Sequence, residues 1–253
     1  MEPRGALWIG TSGWHYPHWV GPFYPPGLRA AQFLEYYAAR FRSVEINNSF
    51  YQLPSAADLR RWNSIVPAGF IFAVKASRYI THMKKLKDPD VTCEKFFDRI
   101  AALEETLGPV LFQLPPRWRV DTERLAAFLE ALPGGLRYAF EFRDPSWFNA
   151  EVEALLQRHG AAVCVFDLEG FLSPRLVTAD FVYVRLHGPA GCYQGTYKTK
   201  VLAEWARQIE AWRGSGRDVY CYFDNDEAGY AVRDARRLAD MADGVARPPT
   251  EIG

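Results

Sequence analysis

Short apolar segments that alternate with helical segments constrain this fold most. The 253 residues contain eight strand-like segments, and seven or eight helical segments separate them. Strands that are joined through helices run parallel, with right-handed crossovers. Eight such units in about 250 residues are the number and length of a (β/α)8 barrel. We therefore predict an α/β protein with a TIM-barrel fold, as a single domain over residues 1–253 with its core at about 7–242. A doubly wound open parallel sheet is the alternative.

Aromatic and β-branched residues mark the expected strands, and glycine and proline mark where strands and helices end. The predicted strands are 7–10, 43–47, 70–77, 110–114, 138–143, 161–167, 181–187 and 218–224. The predicted helices are 30–41, 57–65, 94–107, 122–132, 150–159, 199–213 and 226–241, and a tail follows at 246–250. The stretch 168–180 has no strong periodicity, so we expect its helix to be absent or irregular. No G-x-G-x-x-G follows the first strand, which argues against a dinucleotide-binding open sheet.

Composition excludes several classes of protein. Thirty basic residues balance thirty acidic residues, so overall charge predicts no nucleic-acid or membrane partner. The four cysteines are far apart and form no C-x-x-C pair, which is typical of reduced, packed thiols. The apolar run Ala6–Ile9 is too short for a signal peptide, and no segment approaches the roughly 20 apolar residues of a membrane span. We therefore expect a cytoplasmic protein.

Polar side chains of the predicted strands fall on one face. On a two-residue period they are Glu45 and Asn47, Lys75 and Ser77, Gln113, Glu141 and Arg143, Asp167, Arg185 and His187, and Tyr222 and Asp224. The apolar face would contact the helices, and the polar face would point to the barrel axis. Buried polar groups are costly unless they are paired or used, and TIM-barrel active sites lie at the carboxyl ends of the strands. We predict a ligand site there, with a purely structural ion-pair network as the alternative.

The chain resembles the YecE-like family (domain of unknown function 72) in seven collinear blocks. The blocks are Gly10-Thr-Ser-Gly-Trp14 with Phe23-Tyr-Pro25, Val44-Glu-Ile-Asn-Asn-Ser-Phe-Tyr51, Phe72-Ala-Val-Lys-Ala-Ser77, Leu111-Phe-Gln-Leu-Pro-Pro116, Ala139-Phe-Glu-Phe-Arg143 with Ser146-Trp147, Tyr183-Val-Arg-Leu-His-Gly188 and Tyr222-Phe-Asp-Asn225. The resemblance implies a TIM-barrel fold, in agreement with the strand count. It implies no settled activity, although the family has been compared with metal-dependent endonuclease and sugar-isomerase barrels.

Anion binding is the function that the residues favour. Basic residues crowd the loop after the third strand, and others follow the fifth and seventh strands: Lys75, Arg78, His82, Lys84, Lys85, Lys87, Arg143, Arg185 and His187. Guanidinium and ammonium groups suit phosphate or carboxylate ligands. An aromatic loop of Trp14, Tyr16, Trp19, Phe23 and Tyr24 could stack a ring over this site or, as the alternative, form a hydrophobic plug.

Paired titratable groups at the mouth predict acid–base chemistry. The candidate catalytic residues are Glu141, His187, Glu45, Lys75 and Asp224. The candidate substrate-binding residues are Thr11, Trp14, Asn47, Tyr51, Arg78, Gln113, Arg143, Trp147, Arg185, Tyr222 and Asn225. A Schiff base on Lys75 is a further alternative. No cofactor is required by the pattern, but the carboxylates with His187 leave a divalent metal open.

We therefore expect an enzyme that acts on a small anionic substrate, a phosphorylated sugar or nucleotide. A nucleic-acid-binding or endonuclease-like barrel is the alternative, and its binding to a duplex should weaken steeply with salt. A non-catalytic barrel that binds a metabolite is the third interpretation.

Overall fold

The computed structural model describes residues 3–245 and contains nine strands and seven α-helices in that range. The strands are β1 Leu7–Thr11, β2 Ser43–Ile46, β3 Ile71–Lys75, β4 Leu107–Gln113, β5 Tyr138–Glu141, β6 Ala162–Leu168, β7 Phe171–Leu172, β8 Phe181–Leu186 and β9 Asp218–Phe223. The helices are α1 Phe33–Ala38, α2 Ala56–Ile65, α3 Pro89–Ile100, α4 Thr122–Glu130, α5 Ala150–Arg158, α6 Thr199–Gly214 and α7 Tyr230–Val245. The predicted tail at 246–250 lies outside the described residues.

Eight of the strands form one parallel sheet that curls into a nearly closed barrel. The order is β1-β9-β8-β6-β5-β4-β3-β2, and the two-residue β7 pairs antiparallel with β6. Each barrel strand is therefore the neighbour of the strands that precede and follow it in the chain, which confirms the TIM-barrel prediction. The doubly wound alternative would need a reversal of strand order, and this sheet has none in the described residues.

The barrel closes between β1 and β2. A parallel bridge joins Ser12 to Glu45, and the Gly13 amide donates to the Glu45 carbonyl at 2.8 Å. Gly10 permits this approach, since a Cβ at that position would lie 2.1 Å from the Ser43 carbonyl oxygen. The hydroxyl of Tyr37 spans the seam, because it accepts from the Thr11 amide at 2.9 Å and donates to the Ser43 carbonyl at 3.1 Å.

Helices α1, α3 and α7 differ from their predicted bounds at both ends, and α3 ends at Ile100 rather than at 107 because a 3-10 helix follows at Ala101–Thr106. Helix α3 begins at Pro89, five residues before the prediction, because proline is well tolerated where the amide has no helical partner. Helix α7 begins at Tyr230, after the Gly229 turn, rather than at 226. The stretch 168–180 contains the β7 hairpin and no helix, as its lack of periodicity indicated.

Side chains of the strands separate into two packed layers. The inner layer is Ala73, Leu111, Ala139, Ala162, Cys164, Phe166, Phe181, Tyr183, Tyr220 and Tyr222. Outward-facing residues such as Val44, Phe112 and Phe140 pack in the larger cluster under the helices. The predicted facing is thus confirmed for strands 2–5, 8 and 9, where polar residues continue the inner set towards the carboxyl ends.

The prediction for Asp167 was wrong. Phe166, not Asp167, belongs to the inner layer, and Asp167 is half-buried on the outer face beside Tyr197. The apolar residues of β6 set this register, because Ala162 and Cys164 fill the barrel interior at the same parity as Phe166. Asp167 therefore does not contribute to the mouth.

No helix within residues 3–245 is both long enough and apolar enough to cross a membrane.

Candidate active site at the barrel mouth

Arg185 lies at the centre of the mouth and holds three carboxylates. Its Nε donates to Glu45 Oε2 at 3.0 Å, its Nη1 to Glu141 Oε2 at 2.9 Å, and its Nη2 to Asp224 Oδ2 at 2.9 Å. A second Nη2 bond, to Glu45 Oε1 at 2.8 Å, makes the Glu45 pair bidentate. Arg185 is fully buried, so its positive charge is neutralised entirely by protein groups. We call Glu45, Glu141, Arg185, His187 and Asp224 the Arg185 network.

Glu45 receives two further hydrogen bonds from residues that the sequence did not single out. Ser12 Oγ donates to Oε1 at 2.5 Å, and the Tyr183 hydroxyl donates to Oε2 at 2.7 Å. Both residues lie on the inward parity, Ser12 two positions after Gly10 and Tyr183 two before Arg185, which is the signal that could have identified them. Both oxygens of Glu45 are therefore satisfied.

Arg143 and His187 occupy the opposite side of Glu141. Arg143 forms an ion pair with Glu141 Oε1, and its Nη2 lies 3.1 Å from His187 Nε2. Because a guanidinium only donates, Nε2 must be the accepting nitrogen and the imidazole proton belongs on Nδ1. Nδ1 lies 3.0 Å from Asp224 Oδ2, although the angle is poor for a hydrogen bond, so this contact is chiefly electrostatic.

The network keeps the buried carboxylates of Glu141 and Asp224 ionised. Burial alone would raise the pKa of Glu141, but Arg143, Arg185 and His187 lower it well below its usual value. Burial would likewise raise the pKa of Asp224, and Arg185 with His187 lowers it instead. Opposite charges within a few ångströms outweigh desolvation here.

The carboxylates and histidine do not form a metal site among the described residues. No group of three histidine, cysteine, aspartate or glutamate side chains in residues 3–245 has an arrangement that could hold a metal ion. The Arg185 guanidinium already lies among the oxygens that would be the ligands.

Lys75 differs from Arg185 in having no anionic partner. It ends β3, only 5% of its surface is exposed, and its Nζ lies 4.2 Å above the Phe50 ring. Within residues 3–245 its Nζ makes no hydrogen bond and no ion pair, since the network carboxylates are bound to Arg185. Burial, and then the charge of Arg185, lowers its pKa to about 8, against the opposing effect of Asp224, Glu45 and Glu141.

Lys75 belongs to a group of basic side chains on one side of the mouth, which we call the cationic corner. The corner consists of Lys75, Arg78 and Arg143, and the neutral imidazole of His82 lies beside them. Burial lowers the pKa of His82 to about 4, and the charges of Lys75, Arg78 and Arg143 add to this effect. Arg78 and His82 lie in the loop after β3, which contains a π-helix at Tyr79–Met83, while Arg143 follows β5. Positive potential is therefore concentrated on this side of the mouth.

The loop beyond the corner has unusual backbone geometry. Lys85, Leu86 and Asp88 have φ angles of 48°, 64° and 50°, in the left-handed region that non-glycine residues rarely adopt. Such strain, like π-helical turns, occurs often at functional sites. Lys84 forms an ion pair with Asp88, at 3.7 Å, across this turn.

Several predicted binding residues pack away from the mouth. Thr11 bonds to Tyr37, Tyr222 bonds to Ser43 Oγ at 2.7 Å inside the barrel, and Asn225 Nδ2 donates to Gly195 and Asp234. Trp147 lies in the outer layer, where it stacks on Phe142. Their contacts stabilise the barrel and its loops. Gln113 ends β4 beside Glu141 and is half-buried, so it remains at the mouth.

A separate cavity of about 1140 Å³ lies between the first loop, α1 and α2. Trp14, Asn47 and Tyr51, three of the predicted binding residues, line it. Tyr51 is 74% exposed, and the buried Oδ1 of Asn47 has no partner within the described residues. These three side chains therefore do not join the Arg185 network.

The aromatic loop forms a hydrophobic plug. Trp19 and Tyr24 are fully buried, and Tyr24 stacks on Phe33 with ring centroids 3.9 Å apart. Trp14 packs edge-on against Trp62 at 4.9 Å. Most of the loop thus packs in the hydrophobic core, and Trp14 and Tyr16 also line the 1140 Å³ cavity.

The fold and the position of the site define a TIM-barrel protein with a charged C-terminal mouth. Residues 8–251 match the family model described as "Protein of unknown function DUF72". The chain belongs to this family, as its sequence blocks indicated.

Curated relatives carry the UPF0759 designation. The chain is 26% identical to the protein YunF of Bacillus subtilis over 94% of its own length and 95% of that protein. It is 32% identical to YecE of Escherichia coli K12 over 60% of its own length and 54% of that protein.

Solved structures agree on the fold. The crystal structure of a DUF72 family protein from Thermotoga maritima is 30% identical, has a TM-score of 0.85, and is matched over 94% of this chain and 99% of that chain. A DUF72 family protein from Enterococcus faecalis is 17% identical with a TM-score of 0.80, over 94% and 95% of the two chains. The second likeness supports the fold alone.

Proposed function

We propose that this barrel is an enzyme that acts on an anionic substrate, a phosphorylated sugar or a nucleotide-like molecule, at its C-terminal mouth. The cationic corner is the observation that carries this proposal. Lys75 and Arg78 have no anionic partner within residues 3–245, and their charges, with that of Arg143, add to the effect of burial in lowering the pKa of His82. An anion would supply the missing negative charge.

The sequence placed Arg185 among the substrate-binding candidates, but in this proposal it does not bind the substrate. All three of its guanidinium nitrogens already donate to network carboxylates, so none remains for an external anion. It instead orients Glu45, Glu141 and Asp224. Arg78 and Arg143, with Lys75, are the groups that would bind the substrate anion.

Proton transfer falls to His187 and its carboxylate neighbours. Asp224 holds the Nδ1 side of the ring, and Arg143 lies 3.1 Å from Nε2. A substrate anion that draws Arg143 away would leave Nε2 with only the longer contact to Arg185 Nη1, at 3.4 Å, so that Nε2 could accept a proton from the substrate. Glu141, which Arg185 continues to hold, would keep a negative charge beside the imidazolium that results.

Binding of inorganic phosphate and of a panel of phosphorylated sugars, measured by calorimetry, tests the proposal. Arg78→Gln removes an exposed cation without breaking an ion pair in the described residues, and we expect affinity to fall on the order of tenfold. Arg60→Gln, an exposed arginine on α2, is the matched control and should bind as the wild type does. Equal affinity in wild type and Arg78→Gln would contradict the proposal.

A nucleic-acid-binding function is the second candidate, and the loop after β3 favours it. Tyr79 and Met83 are exposed there, beside Lys84 and Lys85. Exposed aromatic rings among cations suit the bases and phosphates of a single strand. Retention of labelled DNA or RNA should fall steeply as salt rises. Lack of retention at low salt would eliminate this candidate and leave the first untouched.

A further inference from the structure

Lys75 is the one lysine that this fold places on a barrel strand. It ends β3 at the edge where the strands open to the mouth, whereas the other six lysines lie in helices and loops. Its side chain is almost wholly enclosed, and one wall of its pocket is the Phe50 ring. A lysine in this position needs a physical reason, because a buried ammonium without a partner is costly.

The network carboxylates do not neutralise Lys75 by direct contact. Glu45 uses both oxygens on Arg185, Ser12 and Tyr183, and Glu141 uses its two on Arg185 and Arg143. The Lys75 Nζ lacks a partner but is not fully enclosed. Part of the small exposed surface of Lys75 therefore belongs to Nζ. The amine is therefore both unpaired and partly exposed to solvent.

The surroundings of Lys75 raise the fraction of neutral amine near physiological pH above that of an ordinary lysine. Burial lowers its pKa to about 8, and the charge of Arg185 acts in the same direction. Asp224, Glu45 and Glu141 oppose this, and the neighbouring cations Arg143 and Arg78 belong to the same corner. A neutral lysine amine is the nucleophile that carbonyl chemistry requires.

We propose that Lys75 Nζ attacks the carbonyl carbon of an aldehyde or ketone substrate and forms an imine with it. The inference rests on the proposed function and narrows its substrate class to anionic molecules that carry a carbonyl group. In the step, the amine nitrogen forms a C–N bond and one amine proton passes to the carbonyl oxygen, and the carbinolamine hydroxyl then leaves as water with one proton from the solvent, which gives the protonated imine. No oxidant or reductant is consumed.

Charge balance in the mouth suits the protonated imine. Three carboxylates, Glu45, Glu141 and Asp224, face two guanidinium groups, those of Arg143 and Arg185. The protonated imine keeps at Nζ the positive charge that the Lys75 ammonium carries, so its formation leaves the charge of the mouth unchanged. Of the three carboxylates Asp224 acts most strongly on Lys75, and its lowered pKa keeps a negative charge facing the protonated imine.

Reductive trapping tests the proposal on the intact protein. Glycolaldehyde phosphate and sodium cyanoborohydride are added, and the modified residue is located by peptide mass spectrometry. We expect one stable adduct per chain, on Lys75, although this lysine is far less exposed than Lys85, Lys87 or Lys95. The adduct should form faster as pH rises through about 8 and then level off.

Two variants control for the fold. Lys75→Arg keeps a cation and should lose the adduct, while Lys95→Met, an exposed lysine on α3, should keep it at the wild-type rate. Circular dichroism confirms that both variants are folded. Adducts that form on the exposed lysines first, with Lys75 unmodified, would overturn the inference.

The two proposals fail in different ways. If phosphorylated sugars bind but cyanoborohydride traps nothing on Lys75, the imine is wrong and anion binding stands. If unphosphorylated glycolaldehyde modifies Lys75 as fast as its phosphate does, and glycerol 3-phosphate does not compete, the imine stands and the anionic substrate is wrong.

Discussion

The two sides of the barrel mouth handle buried charge in opposite ways. In the Arg185 network one guanidinium meets three carboxylates, and its nitrogens all have partners at 2.8 to 3.0 Å. In the cationic corner, Lys75 is nearly as buried but has no anion beside it in the described residues. The first arrangement is complete without a ligand, and the second is not.

This difference separates a structural role from a binding role. A buried ion pair becomes strongly unfavourable when one partner is removed, because the other is left charged and desolvated. A buried lysine without a partner already carries that penalty in the native state. We therefore expect substitutions on the two sides to change stability in opposite directions.

Removal of Arg185 should have the largest effect. Arg185→Met leaves three buried carboxylates without their shared cation, and we expect a loss of about 3–5 kcal/mol in the free energy of unfolding. Urea denaturation measures it, with Arg60→Met as the control at an exposed helix position. A loss below about 1 kcal/mol would show that the network is not a structural element.

Removal of Lys75 should stabilise the protein. Its pKa falls from about 10.5 in the unfolded chain to about 8 in the folded state, so Lys75→Met should gain about 1–3 kcal/mol at neutral pH. Lys95→Met should change little. A destabilised Lys75→Met would mean that Nζ makes a favourable contact after all.

Lys75→Met should also remove the pH dependence that the Lys75 amine gives to the free energy of unfolding. Between pH 8 and 10.5 the unfolded chain binds more protons at Lys75 than the folded state does, so wild-type stability gains from rising pH in this window. The free-energy cost of burying the Lys75 ammonium is complete below pH 8 and absent above pH 10.5. The stability difference between Lys75→Met and wild type should therefore shrink across the window, and a constant difference would contradict the pKa assignment.

Tyr183→Phe should have the smallest of these effects. It removes the hydroxyl that donates to Glu45 Oε2 at 2.7 Å, while the bidentate Arg185 pair remains. We expect a loss of about 1–2 kcal/mol by urea denaturation. Tyr36→Phe, whose hydroxyl has no hydrogen bond in the described residues, should be neutral. If Tyr183→Phe leaves the free energy of unfolding unchanged, the Tyr183 hydroxyl does not stabilise the Arg185 network.

Sequence periodicity predicted the barrel and most of its mouth because both follow from local rules. Alternation of strand and helix gives the parallel barrel, and the two-residue period places Glu45, Glu141, Arg185 and Asp224 on its inner face. Their position at the carboxyl ends of the strands brings them together. The sequence alone could therefore locate the cluster.

The pairing within the cluster could not be predicted in the same way. Lys75 and Arg185 have the same charge and parity, and only the three-dimensional register decides that Arg185 reaches all three carboxylates. Asp167 was misplaced because a polar residue was assumed to face inwards, whereas the apolar residues of β6 set its register. The Asn47 and Tyr51 side chains follow β2 but turn into a separate cavity, since a 3-10 helix at Asn48–Phe50 redirects the chain.

The titration of Lys75 tests the contrast between the two sides most directly. Heteronuclear NMR of protein labelled at lysine Cε resolves seven lysine signals, and Lys75→Met identifies the one that belongs to Lys75. We predict that this signal titrates with a pKa of about 8 and shifts when phosphate binds. A Lys75 signal that titrates at the ordinary lysine value of about 10.4 would contradict the account, because the amine would then have an anionic partner.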